Sequence, residues 1–385
     1  MMAILLSYAF RPFFLLATVF AIVVMVFWIM ALAGGGPVAA YGNAIYWHAH
    51  EMVFGFAMAV IAGFVLTAVA MWTSRPALKG APLGWLVMAW LAGRIAMLMA
   101  GSWSAGLVAA LDLLFPVLLV FLFAREVVAG NNRRNYVLVA MLLIMALLNL
   151  LYHMSAGGVV NGLDRTALLL MIHVVLVLIT IIAGRIVPSF TTNWLKMRNE
   201  QRLPVTTAPV EGLTIALTLL TGILLVALPV STLTAGIALL TAMTHLYRLS
   251  RWRGLATLKE PILLVLHVAY LWLPVGYLLS AVSAFEWGYP SSVALHALTI
   301  GGIGSMILAM TTRVSLGHTG RPLHASRMTV IAYVLIMLAG IVRLLGPLAG
   351  DQYMLTVELS SGLWMITFLL FLWVCWPVLT KPRVD

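Results

Sequence analysis

Charge is what this sequence has least of. Asp, Glu, Lys and Arg make up 9% of its 385 residues, while 63% are hydrophobic. An average soluble domain is roughly 25% charged, so the chain lacks the means to cover a soluble surface. Polar insertions large enough to fold by themselves are missing, as is any low-complexity tract. What remains is a succession of apolar runs of about 20 residues, the length a helix needs to cross a hydrocarbon core. The sequence therefore predicts an all-α fold, a polytopic membrane helix bundle. Residues 1–385 form one transmembrane domain, with the lipid bilayer as its first partner.

Cysteine is nearly absent. Cys375 stands alone, which excludes a disulfide within the chain and any thiolate-held cluster. Its place in the last apolar run reads as a buried, inert thiol. Acidic residues are scarce, 11 against 22 Lys and Arg, and the net charge is +11. Such a balance can signal nucleic acid, but the basic residues sit in short connections between apolar runs. Nucleic acid is therefore excluded as a partner, and the charge reads as membrane orientation. No cleavable signal is evident, because the first apolar run, 13–33, is too long for a signal core.

Apolar length, punctuated by Gly, Pro and charge, predicts about twelve helices. They cover 13–33, 48–72, 83–101, 106–128, 136–155, 164–187, 209–228, 232–250, 261–284, 291–312, 325–345 and 354–379. Pro188 closes the sixth, and the stretch from Pro188 to Ala208 is the longest connection. The connections alternate in charge. Those around Arg75, Arg133, Lys196, Arg251 and Arg321 are basic, whereas Gly34–Trp47, Ser102–Ala105, Pro229–Ser231 and Phe285–Pro290 carry no Lys or Arg. By the positive-inside rule both termini are cytoplasmic.

Against this background Trp47-His48-Ala49-His50-Glu51-Met52 stands out at the outer mouth of the second apolar run. Ionisable groups at membrane depth mark function by default. A rise of about 1.5 Å per residue puts His48, His50 and Glu51 within ~5 Å of the outer face, His153 at ~3 Å, His296 at ~8 Å and His173 at ~14 Å. His245 and His267 match one another at about 8–9 Å from the cytoplasmic end, as a bis-imidazole haem or a shared metal would require. His318 and His324 follow the tenth helix. A single membrane histidine is more often an interhelical hydrogen-bonding residue. Grouping in two depth-matched sets turns the reading toward ligands, since imidazole commonly binds haem iron and copper. In a regular helix His48 and Glu51 share a face, whereas His50 points about 200° away. The two histidines are thus expected to serve different partners, one as ligand and one as hydrogen-bonding support.

Arg94 and Asp112 lie on consecutive helices, both roughly 10 Å from the outer face. An ion pair is the plainer reading; the other is that Arg94 holds a haem propionate, since guanidinium pairs carboxylates bidentately. Arg343 and Glu358 match similarly near the outer ends of the last two helices. The 22 methionines read as core filler. Gly301, Gly302 and Gly304 read as close-packing residues that would also clear space for a flat macrocycle.

Four stretches carry a family pattern. They are Phe10-Arg11-Pro12-Phe13-Phe14, the Trp47–Met52 cluster with Phe54-Gly55-Phe56, Gly184-Arg185-Ile186-Val187-Pro188-Ser189-Phe190-Thr191, and His296-Ala297-Leu298-Thr299 continuing through Thr312-Arg313 to Gly320-Arg321. In this order, and over nearly the whole chain, they closely resemble the NnrS family. Ile186-Val187 departs from the methionine-containing version expected there. The resemblance implies a bacterial inner-membrane protein containing haem and copper, tied to nitric oxide metabolism, denitrification and nitrosative stress, without a settled reaction. It marks His48, His50, Glu51, His173, His296 and His318 as motif residues.

On that footing the expected function is an oxidoreductase of nitric oxide reductase type. It would bind and reduce NO in the periplasmic half, at a haem or a haem plus a second metal, copper or non-haem iron. His173 and His296 are the expected ligands of haem b, with Arg94 on a propionate. His48, His50, His153 and His318 are assigned to the second metal or its surroundings, and Glu51 to proton relay. His245 and His267 would hold a second haem or the point of electron entry from a membrane quinol or another donor. The alternative is a non-catalytic protein that binds or senses NO or iron-nitrosyl species. A transporter is the weaker alternative, because it predicts inverted repeats and paired half-helices that the sequence does not show.

Overall fold

The structure is a computed structural model and describes residues 1–36 and 43–384. No strand occurs among the described residues. The long helices are α1 (Phe10–Leu32), α2 (Ala44–Thr73), α3 (Ala81–Leu98), α4 (Ala105–Ala129), α5 (Tyr136–Ala156), α6 (Asp164–Lys196), α7 (Ala208–Ala227), α8 (Thr232–Ser250), α9 (Pro261–Ala284), α10 (Ser291–His318), α11 (Arg327–Leu345) and α12 (Tyr353–Thr380). Among the described residues, ten helical runs are long and apolar enough to cross a membrane. The last of the ten, Arg327–Thr380, comprises α11 and α12, joined through a 3₁₀ turn where Gly350 leaves helical geometry at φ 52°. The more polar α8, with Thr241, Thr244, His245 and Arg248 along it, stands outside the ten. The expected bare connection Gly34–Trp47 falls partly outside the described residues, at 37–42.

Helix starts follow local chemistry. The side chains of Asn43, Ser231 and Ser326 accept from the backbone N–H three residues on, at 2.9, 3.1 and 3.2 Å, satisfying donors that a helix N-terminus leaves open. One expected boundary is corrected. Pro188 does not end the sixth helix: α6 continues to Lys196. A proline inside a membrane helix is tolerated because neighbours and local adjustment satisfy the freed carbonyl, and Pro116, Pro274 and Pro377 also lie inside helices.

Two helices change winding beside a histidine. In α2 a π-helical segment, Glu51–Ala57, begins directly after His50, and in α10 another, Ala297–Gly304, begins directly after His296. Such i→i+5 turns are rare and are frequently found at functional sites.

The contacts divide the chain into two compact units. The first comprises Met1–Met171, Val314–Arg321 and Phe371–Asp385. Its Arg11 Nη1 donates to the carbonyls of Leu379 and Lys381 at 2.7 and 2.8 Å, closing the C-terminal end of α12, where carbonyls lack helical partners. The second comprises Ile172–Arg313 and Pro322–Leu370, with α8 against α7 and α9, and α9 and α11 against the π segment of α10. Trp85 and Trp373 are 73% and 79% exposed, a surface suited to lipid rather than water.

Candidate functional site

In the first unit the residues of α2 to α5 converge on a buried polar cluster. Glu51, from the π segment of α2, is fully buried, as are His50 and, from α4, Asp112. Arg94 of α3 reaches between the two carboxylates, donating from Nη1 to Glu51 Oε1 and from Nη2 to Asp112 Oδ1. Two glycines make this approach fit. A Cβ on Gly55 would stand 2.7 Å from Arg94 Nη1, and one on Gly93 would stand 2.7 Å from Asp112 Oδ1.

From α5, Asn149 and His153 complete the set, one helical turn apart. Asn149 Nδ2 donates to Asp112 Oδ2 at 2.8 Å, and His153 Nε2 bonds the same oxygen at 2.9 Å. Because the amide nitrogen of Asn149 faces Asp112, its Oδ1 is an acceptor, and His50 Nε2 donates to it at 2.9 Å. His50 Nδ1 lies 2.8 Å from Glu51 Oε1, which can only accept. Both ring nitrogens of His50 therefore donate, which is the hydrogen-bonding pattern of an imidazolium. Two carboxylates, one guanidinium and one imidazolium balance, the condition for keeping charges in a low-dielectric interior.

His48 lies apart from this cluster, with its ring stacked on Trp28 at 4.5 Å. His48 and His50 thus have different neighbours. The expected shared face of His48 and Glu51 is replaced by a Glu51–His50 contact, because the regular helix ends at His50. The expected Arg94–Asp112 pair is present, and the same guanidinium also takes Glu51. His50, Asp112 and His153 each offer one ligand atom within 4.8 Å of the others, a nitrogen and oxygen donor set suited to copper or iron. Those atoms are engaged with protons and with Arg94 here, so a metal would require protons to leave. His318 sits at the end of α10 with its ring 5.7 Å from that of Phe10.

The second unit holds the remaining histidines. His173 of α6 is buried, and its ring lies against Gly222 of α7, where a Cβ would stand 2.7 Å from the His173 Cβ. His296 donates from Nδ1 to the carbonyl of Ser292 at 2.6 Å. That bond fixes the tautomer and leaves the Nε2 lone pair without a partner among the described residues, the arrangement seen where imidazole binds a metal. His296 therefore fits an iron ligand on the chemistry of its own bonds.

His245 is differently placed. Arg248 Nη1 donates to the Tyr270 oxygen at 2.7 Å, so the Tyr270 hydroxyl is free to donate to His245 Nδ1, also at 2.7 Å. His245 Nε2 then donates to Thr218 Oγ1 at 3.0 Å, and Thr218 donates to the Thr214 carbonyl at 2.7 Å. Ligation by His245 would mean giving up Tyr270 or Thr218. Arg248 in turn grips Glu211 with Nε and Nη2. His267 donates from Nε2 to Thr191 Oγ1 at 2.9 Å, since the Thr191 hydroxyl is spent on the Val187 carbonyl. Its Nδ1 is buried without a partner among the described residues, close against Gly254.

Sequence reasoning missed Asn149 and the Glu211–Arg248–Tyr270–Thr218 chain. Asn149 had a signal, an amide inside an apolar run four residues before His153. Arg248 carries no separate signal in the sequence, because it stands three residues from Arg251 at a helix end.

A family model described as NnrS protein matches residues 4–383. No curated protein matches. Among solved structures, a heme-copper terminal oxidase dimer determined by cryo-EM is similar at a TM-score of 0.63 and 14% identity, over 98% of this chain and 85% of that one. That likeness is one of fold.

Proposed function

Since this chain belongs to the NnrS family, we propose that it is a bacterial inner-membrane metalloprotein of nitric oxide metabolism and nitrosative-stress resistance, and that it binds and reduces NO. The observation that carries the proposal is the His296 ring, held by Ser292 through Nδ1 with the Nε2 lone pair open. His296, with His173 as the second candidate, would hold the iron of haem b. When bound, that group supplies an NO-binding iron and a route for electrons.

Reduction of two NO to N2O and water takes two electrons and two protons. The groups with proton chemistry in the first unit are His50, Glu51, Asp112 and His153. Arg94 bonds both carboxylates, and the shared bonds on Asp112 Oδ2 link His153 and Asn149. His50, Asp112 and His153 are also the candidate holders of a second metal, copper or non-haem iron, in place of the protons they now share. The electron donor, a membrane quinol in this reading, completes the reaction.

Purified full-length protein should show iron by metal analysis and a haem signal in the reduced-minus-oxidised absorption spectrum. His296→Ala should lose most of that signal, while His324→Ala, on an exposed loop residue, should keep it. Absence of iron and copper from the wild-type protein would sink the proposal. With a chemical reductant, sustained NO removal marks an enzyme, whereas uptake that stops at one equivalent per site marks a binding protein.

A further inference from the structure

Arg343 ends α11 with 7% of its surface exposed and no carboxylate in ion-pair range among the described residues. The contrast with Arg94 and Arg248 is direct, since each of those is held by protein carboxylates. Glu358, the partner that sequence depth suggested, is exposed and does not pair with it. A guanidinium cannot shed its charge to escape burial, so a buried one without an acid is unfavourable until an anion arrives.

The guanidinium is nonetheless held in place. Nη2 donates to the Tyr353 hydroxyl at 2.8 Å, and the Tyr353 ring lies 5.2 Å from the guanidinium carbon. Nη1 is buried and has no acceptor among the described residues. Beside it stands Gly346, where a Cβ would come within 3.2 Å of Nη1. The same end of the unit holds His296. α11 packs on both the first turns and the π segment of α10. Tyr289 donates to the Leu344 carbonyl at 3.1 Å. An oriented, unneutralised cation thus lies near an imidazole whose Nε2 lone pair is open.

We propose that Arg343 binds a carboxylate of the ligand held by His296, namely a propionate side chain of the macrocycle. The inference rests on the reading of His296 as an iron ligand, and it moves the carboxylate-binding role from Arg94 to Arg343. The charge of Arg94 is met by two acids of the protein, whereas that of Arg343 is met by none among the described residues. Charge-assisted bonds of guanidinium to carboxylate are among the stronger ones available to a protein.

The test uses full-length protein purified in detergent from haem-limited cells. It is titrated with haem and with the iron protoporphyrin dimethyl ester, in which both carboxylates are blocked, and binding is followed by the Soret band. Arg343→Gln should weaken haem binding about tenfold or more and leave diester binding unchanged, with Arg343→Lys in between. Wild-type protein should bind the diester about as weakly as Arg343→Gln binds haem. Equal affinity of the wild type for haem and diester overturns the assignment, and this comparison decides alone if Arg343→Gln fails to accumulate. An equal loss for both macrocycles in the variant also overturns it. If diester binds like haem while acetate or nitrite alone raises the thermal midpoint of wild type but not of Arg343→Gln, the site serves a free anion and the macrocycle assignment falls. Failure of haem to bind the wild type, or binding untouched by His296→Ala, strikes the reading of His296 instead.

Discussion

Arg94 shows how one side chain can set the chemistry of its surroundings. Two buried carboxylates on different helices would repel one another without it, and one guanidinium bonded to both turns the repulsion into a link from α2 through α3 to α4. Arg94→Gln should therefore destabilise the protein by about 3–5 kcal/mol, the range for removing one partner of a buried ion pair. Thermal unfolding in detergent would read it, and Arg94→Gln/Asp112→Asn should be more stable than Arg94→Gln alone. Tyr270 joins Arg248 to His245 through one hydroxyl. Tyr270→Phe leaves a buried donor and a buried acceptor each short of a bond, and should cost about 1–3 kcal/mol in the same assay. The Arg94–Asp112 pair was legible from depth because helical rise is constant. That Glu51 shares the same arginine was not, since rise says nothing of how a side chain is rotated about its helix.

At the scale of elements, the two π segments do what regular helices could not. Each begins just after a motif histidine and contains glycine, and the first lets Arg94 pass Gly55 to reach Glu51. The space is finely set. Gly93→Ala would press a methyl group into Asp112, and overpacking of this kind costs about 1–3 kcal/mol. Gly106, which has open space around it in α4, provides the control. Gly106→Ala should be neutral or slightly stabilising, with the unfolding midpoint as the measure. Sequence could not place these changes of winding, because nothing in the residue pattern of 51–57 or 297–304 marks where i→i+4 bonding gives way to i→i+5. Nor could it carry α6 past Pro188. Proline removes one hydrogen bond and crowds the carbonyl four residues back, a sound stop signal in water and a weaker one among packed membrane helices.

For the whole molecule, the dominant constraint is the solvent. Helices with wide exposed apolar faces are stable only where lipid covers them, and inside lipid every backbone polar group must be satisfied within the helix. An even number of crossings would return the chain to the side where it began, so the same reporter fused at the N-terminus and at the C-terminus should be active on the same face, the cytoplasmic one by the charge of the loops. Opposite responses from the two fusions would mean that α8 does not cross. The sequence by itself determined the class, the family, and most of the helices to within a few residues. All of these follow from composition and from a rise per residue that neighbours do not change. Only the tertiary structure decided that Glu51 and Asp112 share Arg94, that His50 gives both its ring protons to acceptors, that His245 is already satisfied, and that Arg343 is not. Those outcomes depend on helix rotation and on the few ångströms left by glycines on facing helices, quantities that close packing sets and no single stretch of chain encodes.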